Sequence, residues 1–293
     1  MKCSILIITL HFCIFSSAQT NQKDKISVLI RCDDIGMCHA VNEAAKKILE
    51  TGMPVSMSVM VPCPWFSEAA ELLKKYQNVS VGIHLVLNSE WRLYRWGPVT
   101  GAREVPSLVD SAGLFFPTRA ALFANSPKLP EIETELRAQI DKALKAGLKI
   151  DYVDYHMGTA VSTPETRAIV EKLANEYKLA ISRYYNENEI LGWYSADPAN
   201  KRDSMILNLK KTEPGNTKLM VCHIGLEGPE MNAMEDVNPN GPKEMSKHRN
   251  AELNALTSAE FQKLIHEPKY RLINYGMLKQ EKGLNAMRRP GAN

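Results

Sequence analysis

Short apolar runs alternate with amphipathic segments along most of the chain. The runs that predict strands cover residues 26–30, 55–61, 79–87, 150–155, 179–184, 218–223 and 270–274. Segments with apolar residues at helical spacing predict helices over 42–50, 67–76, 130–146, 164–177 and 258–265. Strands separated by helices favour a parallel sheet covered on both faces, either open or closed into a barrel.

Local signals mark where some of these elements begin and end. Gly52 and Gly147 follow predicted helices, and Thr163 with Pro164 forms an N-cap and first helical residue. Residues 88–125 lose the regular pattern and are rich in aromatic residues, proline and glycine; a loop this long is usually functional. Residues 185–217 are expected to be irregular.

The first eighteen residues predict an exported protein. Lys2 precedes an apolar run at 4–15, and small residues at 16–18 suit signal-peptidase cleavage, so the mature chain is expected to begin near Gln19. The run is shorter than the roughly twenty residues that span a bilayer, and no later apolar stretch is long enough to do so. We therefore expect a periplasmic or secreted protein without a membrane span. An uncleaved N-terminal helix and a lipid anchor on Cys13 are the alternatives.

Composition limits the class of protein. Removing residues 1–18 from the 293 leaves about 275, which fits one larger α/β domain over 24–293. The formal charge of +3, or +2 without Lys2, includes no lysine or arginine block, which argues against a nucleic-acid partner. The cysteines of the mature chain are expected to be buried thiols, and no Cys-x-x-Cys pair indicates a thiolate zinc site; they are Cys32, Cys38, Cys63 and Cys222.

Acidic and imidazole side chains recur at the carboxyl ends of predicted strands. They are Asp33, Asp34, His84, Asp154, His156 and His223. Parallel strands bring these ends to one rim, so the side chains are expected to meet there. His39, His248 and His266 lack this placement and are expected to be solvated.

Two imidazoles and one carboxylate can hold a catalytic divalent cation and leave a position open for water. A second carboxylate can then accept a proton from the water, and a separate histidine can protonate the leaving group; Asp33 and His223 fit these roles. Zinc is favoured over magnesium, which prefers an all-oxygen shell. Each residue also has a purely structural alternative, because adjacent aspartates often cap a helix and a lone histidine in an apolar run is often a core residue.

Several motifs occur in a fixed order from residue 26 to 278. They are Asp33-Asp34-Ile35-Gly36, Asn42, residues 52–60, Val81-Gly82-Ile83-His84-Leu85, Gln139, Gly147, Asp154-Tyr155-His156, Cys222-His223-Ile224-Gly225, residues 249–253 and residues 272–275. In this order the chain resembles the YdjC-like carbohydrate deacetylases. The resemblance implies a distorted, TIM-like (β/α) barrel related to the polysaccharide deacetylases, and removal of acetyl groups from N-acetylated sugars or oligosaccharides.

The resemblance also implies a role for each site residue. It makes Asp34, His84 and His156 the metal ligands, Asp33 the general base and His223 the general acid. Three positions depart from the family pattern, which has phenylalanine at Ile35, histidine at Gly158 and proline at Ile224. The change at Gly158 bears most on substrate specificity.

The aromatic loop and one arginine are candidates for substrate binding. Trp91, Tyr94 and Trp96 can stack on sugar faces or pack the loop onto the barrel. Arg183 can contact substrate, pair with Asp33 or form a surface salt bridge. Two other functions stay open: a metal-dependent amidase or esterase on another substrate, and a non-catalytic periplasmic sugar-binding protein. The oligomeric state is open, a homodimer included.

Overall fold

The computed structural model describes residues 25–239 and 241–291. The predicted signal peptide lies outside these residues, and the single domain over 24–293 stays a prediction. The strands are β1 (Ile26–Ile35), β2 (Val55–Val59), β3 (Val79–Leu85), β4 (Ile150–Tyr155), β5 (Ala180–Ile181), β6 (Asn188–Glu189), β7 (Lys218–His223) and β8 (Tyr270–Ile273).

The helices are α1 (His39–Glu50), α2 (Phe66–Leu73), α3 (Arg119–Ala124), α4 (Leu129–Lys145), α5 (Pro164–Tyr177), α6 (Lys201–Lys210), α7 (Pro229–Asn232), α8 (Met245–Thr257), α9 (Ala259–Ile265) and α10 (Tyr275–Lys282). The predicted cap of α5 is present, since the Thr163 side chain accepts a hydrogen bond from the Thr166 backbone. None of the helices in the described part of the chain is both long and apolar enough to cross a membrane.

All strand pairs are parallel, and the strands follow the order β5-β4-β3-β2-β1-β7-β6. β8 pairs with the first half of β1, from Ile26 opposite Tyr270 to Leu29 opposite Ile273. The sheet curls into an incomplete barrel, because no pairing joins β5 to β6 within the described residues. The predicted distorted (β/α) barrel is confirmed.

The two faces of β1 enter different apolar clusters. Val28 and Ile30 pack in the larger cluster with the helices, whereas Leu29 packs inside the curl against Tyr152 and Tyr275. This separation follows from the alternation of side chains along a strand. The inner cluster fills one end of the barrel and leaves the other end, where the strands finish, available for polar groups.

Tyr275 lies beside the gap between β5 and β6. Its hydroxyl is 2.6 Å from Ser182 Oγ and donates to Glu187 Oε1 at 2.8 Å. Ser182 follows β5 and Glu187 precedes β6, so one buried phenol connects the two open edges of the sheet.

Five helices lie where the sequence pattern predicted none. α3 lies in the loop predicted at 88–125, the irregular segment predicted at 185–217 contains α6, and α7, α8 and α10 occupy parts of the C-terminal third. α6 has little apolar periodicity and buries Lys201, so a search for an apolar stripe misses it. β5 is also shorter than the strand predicted at 179–184. Cys32, Cys38, Cys63 and Cys222 are free and buried, as expected.

Candidate active site

A β-bulge at the end of β1 directs two adjacent carboxylates toward the barrel mouth. Cys32 pairs with Met57 and Ile35 with Val59, so β1 carries one extra residue between these pairs. Asp34 occupies this interval with a φ of 66°, a left-handed conformation that is costly for a residue with a side chain. The irregularity breaks the strand alternation, and both Asp33 and Asp34 line the same cavity.

Asp34, His84 and His156 present one atom each to a common point. Asp34 Oδ1 lies 3.4 Å from His84 Nε2 and 3.4 Å from His156 Nδ1, and the two nitrogens are 3.3 Å apart. Ligands at zinc-bond lengths around a tetrahedral centre are about 3.3–3.4 Å apart, so this triangle fits such an ion. Asp34 Oδ1 is buried and has no hydrogen-bond partner among the described residues. The cluster could therefore hold a metal ion.

Each histidine of the triangle has a carboxylate at its other ring nitrogen. His84 Nδ1 lies 3.0 Å from Asp154 Oδ2, and His156 Nε2 lies 2.8 Å from Glu90 Oε2. Carboxylates in this position orient metal-binding imidazoles. Burial opposes protonation of His84, but Asp154 and Asp33 outweigh it and raise its pKa to about 10. Burial also opposes protonation of His156, and Glu90 and Asp34 raise its pKa to about 9.

Arg249 holds the second oxygen of Asp34. Its Nη2 donates to Asp34 Oδ2 at 2.6 Å, and both side chains are buried. Burial disfavours the Asp34 carboxylate, but Arg249 and the two histidines lower its pKa well below the usual value. The Arg249 guanidinium also lies 5.6 Å from the centroid of the Trp91 ring. Its Nε and Nη1 are buried and lack partners in the part of the chain that the structure describes.

Asp33 is fixed by a two-point contact with Arg31. Arg31 Nε donates to Asp33 Oδ1 at 2.6 Å, and Nη2 donates to Oδ2 at 2.7 Å. Burial disfavours the Asp33 carboxylate, but Arg31 lowers its pKa to about 2. Arg31 Nε is also 3.1 Å from Asp154 Oδ2, which connects Asp33 to the carboxylate behind His84.

His223 is the last residue of β7 and pairs in register with Asp33 on β1. Its backbone nitrogen donates to Glu252 Oε2 at 2.7 Å. The side chain is half-buried and lines the cavity, and its ring centroid is 5.6 Å from that of Tyr194 at an interplanar angle of 67°. His223 thus lies on the strand next to the candidate base.

A cavity of 510 Å³ is lined by the three candidate metal ligands, the candidate base and the candidate acid. The predicted residues in its wall are Asp33, Asp34, His84, Trp91, His156, Arg183 and His223. Arg183 lies two residues beyond β5 and pairs with Glu189 Oε2 at 2.8 Å, not with Asp33. Gly158, where the family pattern has histidine, is also in the wall and has a φ of 71°.

Tyr94 and Trp96 lie outside this wall. The Tyr94 hydroxyl donates to the Met37 carbonyl oxygen at 2.6 Å, and the Trp96 ring packs edge-on against His156 with centroids 6.3 Å apart. Both rings therefore pack the loop onto the barrel, and Trp96 backs a candidate ligand. Trp91 lines the cavity but is only 1% exposed.

Sequence reasoning missed several groups around the cavity. They are Arg31, Glu90, Tyr194 and Arg249, together with the role of Asp154. Arg31 lies two residues before Asp33 and therefore on the same face of the strand, and this spacing could have predicted that Arg31 is part of the site. Glu90 stands in a loop without periodicity and gave none. His39 and His266 are exposed as expected, but His248 is half-buried.

Known proteins resemble the chain over most of its length. The model of the YdjC-like protein family matches residues 27–267. A carbohydrate deacetylase of Brevibacillus brevis is 29% identical over 270 residues, which cover 86% of this chain and 100% of the relative. A carbohydrate deacetylase of Thermus thermophilus is 36% identical over 152 residues, 52% of this chain and 51% of the relative.

A solved structure from Enterococcus faecalis supports the fold. It superposes with a TM-score of 0.71 at 22% identity, over 87% of this chain and 99% of that one. The family match covers β1, β3, β4 and β7, which carry the candidate site residues. The chain belongs to the YdjC-like protein family.

Proposed function

We propose that this protein is a metal-dependent carbohydrate deacetylase that hydrolyses the acetamide of N-acetylated sugars or oligosaccharides. The observation that carries the proposal is the triangle of Asp34, His84 and His156 beside a separate carboxylate and a separate imidazole. The names of the Brevibacillus and Thermus relatives support the same activity.

Asp34, His84 and His156 would hold the cation, and two imidazoles in the set favour zinc or a similar transition ion over magnesium. A bound cation would supply Lewis acidity, polarising the acetyl carbonyl and lowering the pKa of water. Arg249 occupies Asp34 Oδ2, so only Oδ1 is directed at the histidines. Asp154 and Glu90 orient the two rings from behind.

Asp33 is the general base in this proposal. Its contact with Arg31 keeps the carboxylate ionised at working pH and fixes its orientation. Asp33 accepts the proton from water as the water oxygen bonds to the acetyl carbon.

His223 is the general acid, placed beside Asp33 by the pairing of β7 with β1. It donates a proton to the amide nitrogen as the carbon–nitrogen bond breaks, and the products are acetate and the free amine of the sugar. The cavity volume of 510 Å³ falls within the usual range of small-ligand sites, about 300–1,000 Å³.

The proposal is tested by measuring acetate release from chito-oligosaccharides together with the metal content of the purified protein. His84→Ala should lose both metal and activity. Asp33→Asn and His223→Ala should keep the metal and lose activity by about 10²–10⁴-fold, since each removes one proton-transfer group. His266→Ala is the matched control, because that imidazole is exposed and lies outside the cavity wall. Full activity without metal would overturn the proposal.

A substrate panel separates the two other functions. Release of acetate from simple esters but not from acetylated sugars would favour an esterase, and cleavage of other amides would favour a different amidase. Sugar binding without turnover in the metal-loaded protein would favour a binding protein. The presence of both Asp33 and His223 argues against that last function, because binding alone needs no proton-transfer pair.

We also propose that the protein is exported, on the basis of the residues that precede Gln19. Expression of the full chain in a bacterial host should place it in the periplasm or the medium. Mass spectrometry of the mature N-terminus should then find Gln19 or a residue close to it. An intact Met1 on cytoplasmic protein would contradict export.

A further inference from the structure

Tyr194 offers an aromatic surface inside the cavity. It is 49% exposed, whereas Trp91 and Trp193 in the same wall are 1% and 2% exposed. Those two indoles are covered by other protein groups, so little of either ring can meet a ligand. The rings of Tyr194 and His223 form a T-shaped pair, with centroids 5.6 Å apart and an interplanar angle of 67°.

A buried ammonium group holds the backbone beneath Tyr194. Lys201 Nζ donates to the Trp193 carbonyl oxygen at 3.0 Å, to the Tyr194 carbonyl oxygen at 2.7 Å and to Glu252 Oε1 at 2.9 Å. These contacts use all three hydrogens of the ammonium. Lys201 and Glu252 side chains are only 1% and 2% exposed.

Glu252 connects the same group to the candidate acid. Its second oxygen, Oε2, accepts the backbone N–H of His223 at 2.7 Å. One buried ion pair therefore fixes both the segment that carries Tyr194 and the end of β7 that carries His223. Burying two charges is expensive and often stabilises a fold less than well-packed apolar residues do.

We infer that Tyr194 is the platform for the sugar ring whose nitrogen His223 protonates, and that the pair of Lys201 and Glu252 is the positioning device that sets the platform relative to His223. The inference rests on the proposed function. An aromatic ring supplies flat apolar area, and a pyranose presents an apolar C–H face that can lie against it. A ring held there brings its acetamido nitrogen close to His223.

Binding to an inactive protein tests the platform. Affinity for a chito-oligosaccharide is measured by calorimetry on the metal-loaded Asp33→Asn protein and on the same protein with Tyr194→Ala. The added change should weaken binding by about 3–10-fold, the size of one aromatic contact. Tyr194→Phe keeps the ring and should restore the affinity, and Arg202→Ala on the exposed face of α6 is the control. Equal affinity with Tyr194→Ala would overturn the inference.

Kinetics test the positioning device. Single changes at Lys201 or Glu252 leave an unpaired buried charge, so the informative variant is Lys201→Met combined with Glu252→Leu, which removes both. This double variant should fold and keep its metal, yet show a raised KM and a lowered kcat for acetylated sugars. The tryptophan fluorescence of this variant should also change, because the Trp193 carbonyl oxygen loses the Lys201 ammonium as its hydrogen-bond donor.

A double variant with wild-type kcat and KM would refute the positioning role. Absence of acetate release from the unaltered protein would instead refute the proposed function, and the binding comparison would still decide the role of Tyr194.

Discussion

Arg249 and Asp34 form a buried ion pair in which the arginine occupies only one carboxylate oxygen. Nη2 of Arg249 is 2.6 Å from Asp34 Oδ2, and Oδ1 is left facing His84 and His156. The partners are 215 residues apart in sequence, one on the bulged end of β1 and the other on α8. The contact fixes which oxygen of Asp34 can meet a cation.

Removing the arginine should therefore weaken metal binding. Arg249→Met removes the donor to Asp34 Oδ2, so the orientation of the carboxylate is no longer fixed. We expect metal affinity to fall by about 10–100-fold, as for other residues that orient ligands. Affinity is measured by competition with a chromophoric chelator. Lys247→Met on the exposed face of the same helix is the control. Unchanged affinity with Arg249→Met would show that the pair has no part in metal binding.

Glu90 should matter to the metal although it is not a candidate ligand. Glu90→Gln weakens the acceptor 2.8 Å from His156 Nε2, so the imidazole is less firmly oriented and less basic. A loss of affinity of about 10-fold or more is expected in the same competition assay. Glu235→Gln, at an exposed carboxylate in a surface ion pair, should bind metal as the unaltered protein does. If the two variants behave alike, Glu90 has no such role.

Metal uptake should release protons. In the metal-free protein the pKa of His84 is about 10 and that of His156 is about 9, so both rings carry a proton at pH 7.5. Each ring must be neutral at the coordinating nitrogen to bind a cation. The apparent affinity for the metal should therefore rise as pH increases toward these pKa values.

Calorimetry measures this release when zinc is added in buffers of different ionisation enthalpy. The observed heat should vary with the buffer in proportion to the protons released, and His84→Ala, which is expected to lose the metal site, should give no such heat. A heat independent of the buffer would contradict proton-coupled uptake.

The periodic pattern of the sequence predicted the elements that carry the site. β1, β3, β4 and β7 lie where apolar runs placed them, and parallel pairing brings Asp34, His84 and His156 together. This worked because strand ends of a parallel sheet share an edge, so the position along each strand was sufficient information. The three-dimensional path of the intervening loops was not needed.

The supporting residues could not be predicted in the same way. Glu90 lies in a loop, and its contact with His156 depends on how that loop folds back. Lys201 is a charged residue buried on a helix with no apolar stripe, and burial of this kind needs partners that local sequence does not reveal. The aromatic loop showed the limit of composition, since Tyr94 and Trp96 pack against the protein whereas Tyr194, outside that loop, faces the cavity.

Gly82 should be a strict requirement of the barrel interior. A Cβ at this position would lie 2.3 Å from Tyr152 Cζ, and the Tyr152 ring is fully buried and held by its hydroxyl 2.7 Å from Ser58 Oγ. The ring cannot move without disturbing its stack on Tyr275, whose centroid is 4.4 Å away. Overpacking of this kind costs about 1–3 kcal/mol, so Gly82→Ala should lower the free energy of unfolding by at least that amount.

Urea denaturation of the metal-free protein measures the effect without a contribution from bound ions. Gly228→Ala is the matched control, because a Cβ there meets no heavy atom within 4 Å and the backbone is extended, with a φ of 173°. The control should unfold within about 0.5 kcal/mol of the unaltered protein, as surface substitutions do. The double change Gly82→Ala with Tyr152→Leu removes the colliding ring. It should therefore lower the free energy of unfolding by less than the sum of the two single changes. Additive effects of the two substitutions would show that the ring is not the reason for the glycine.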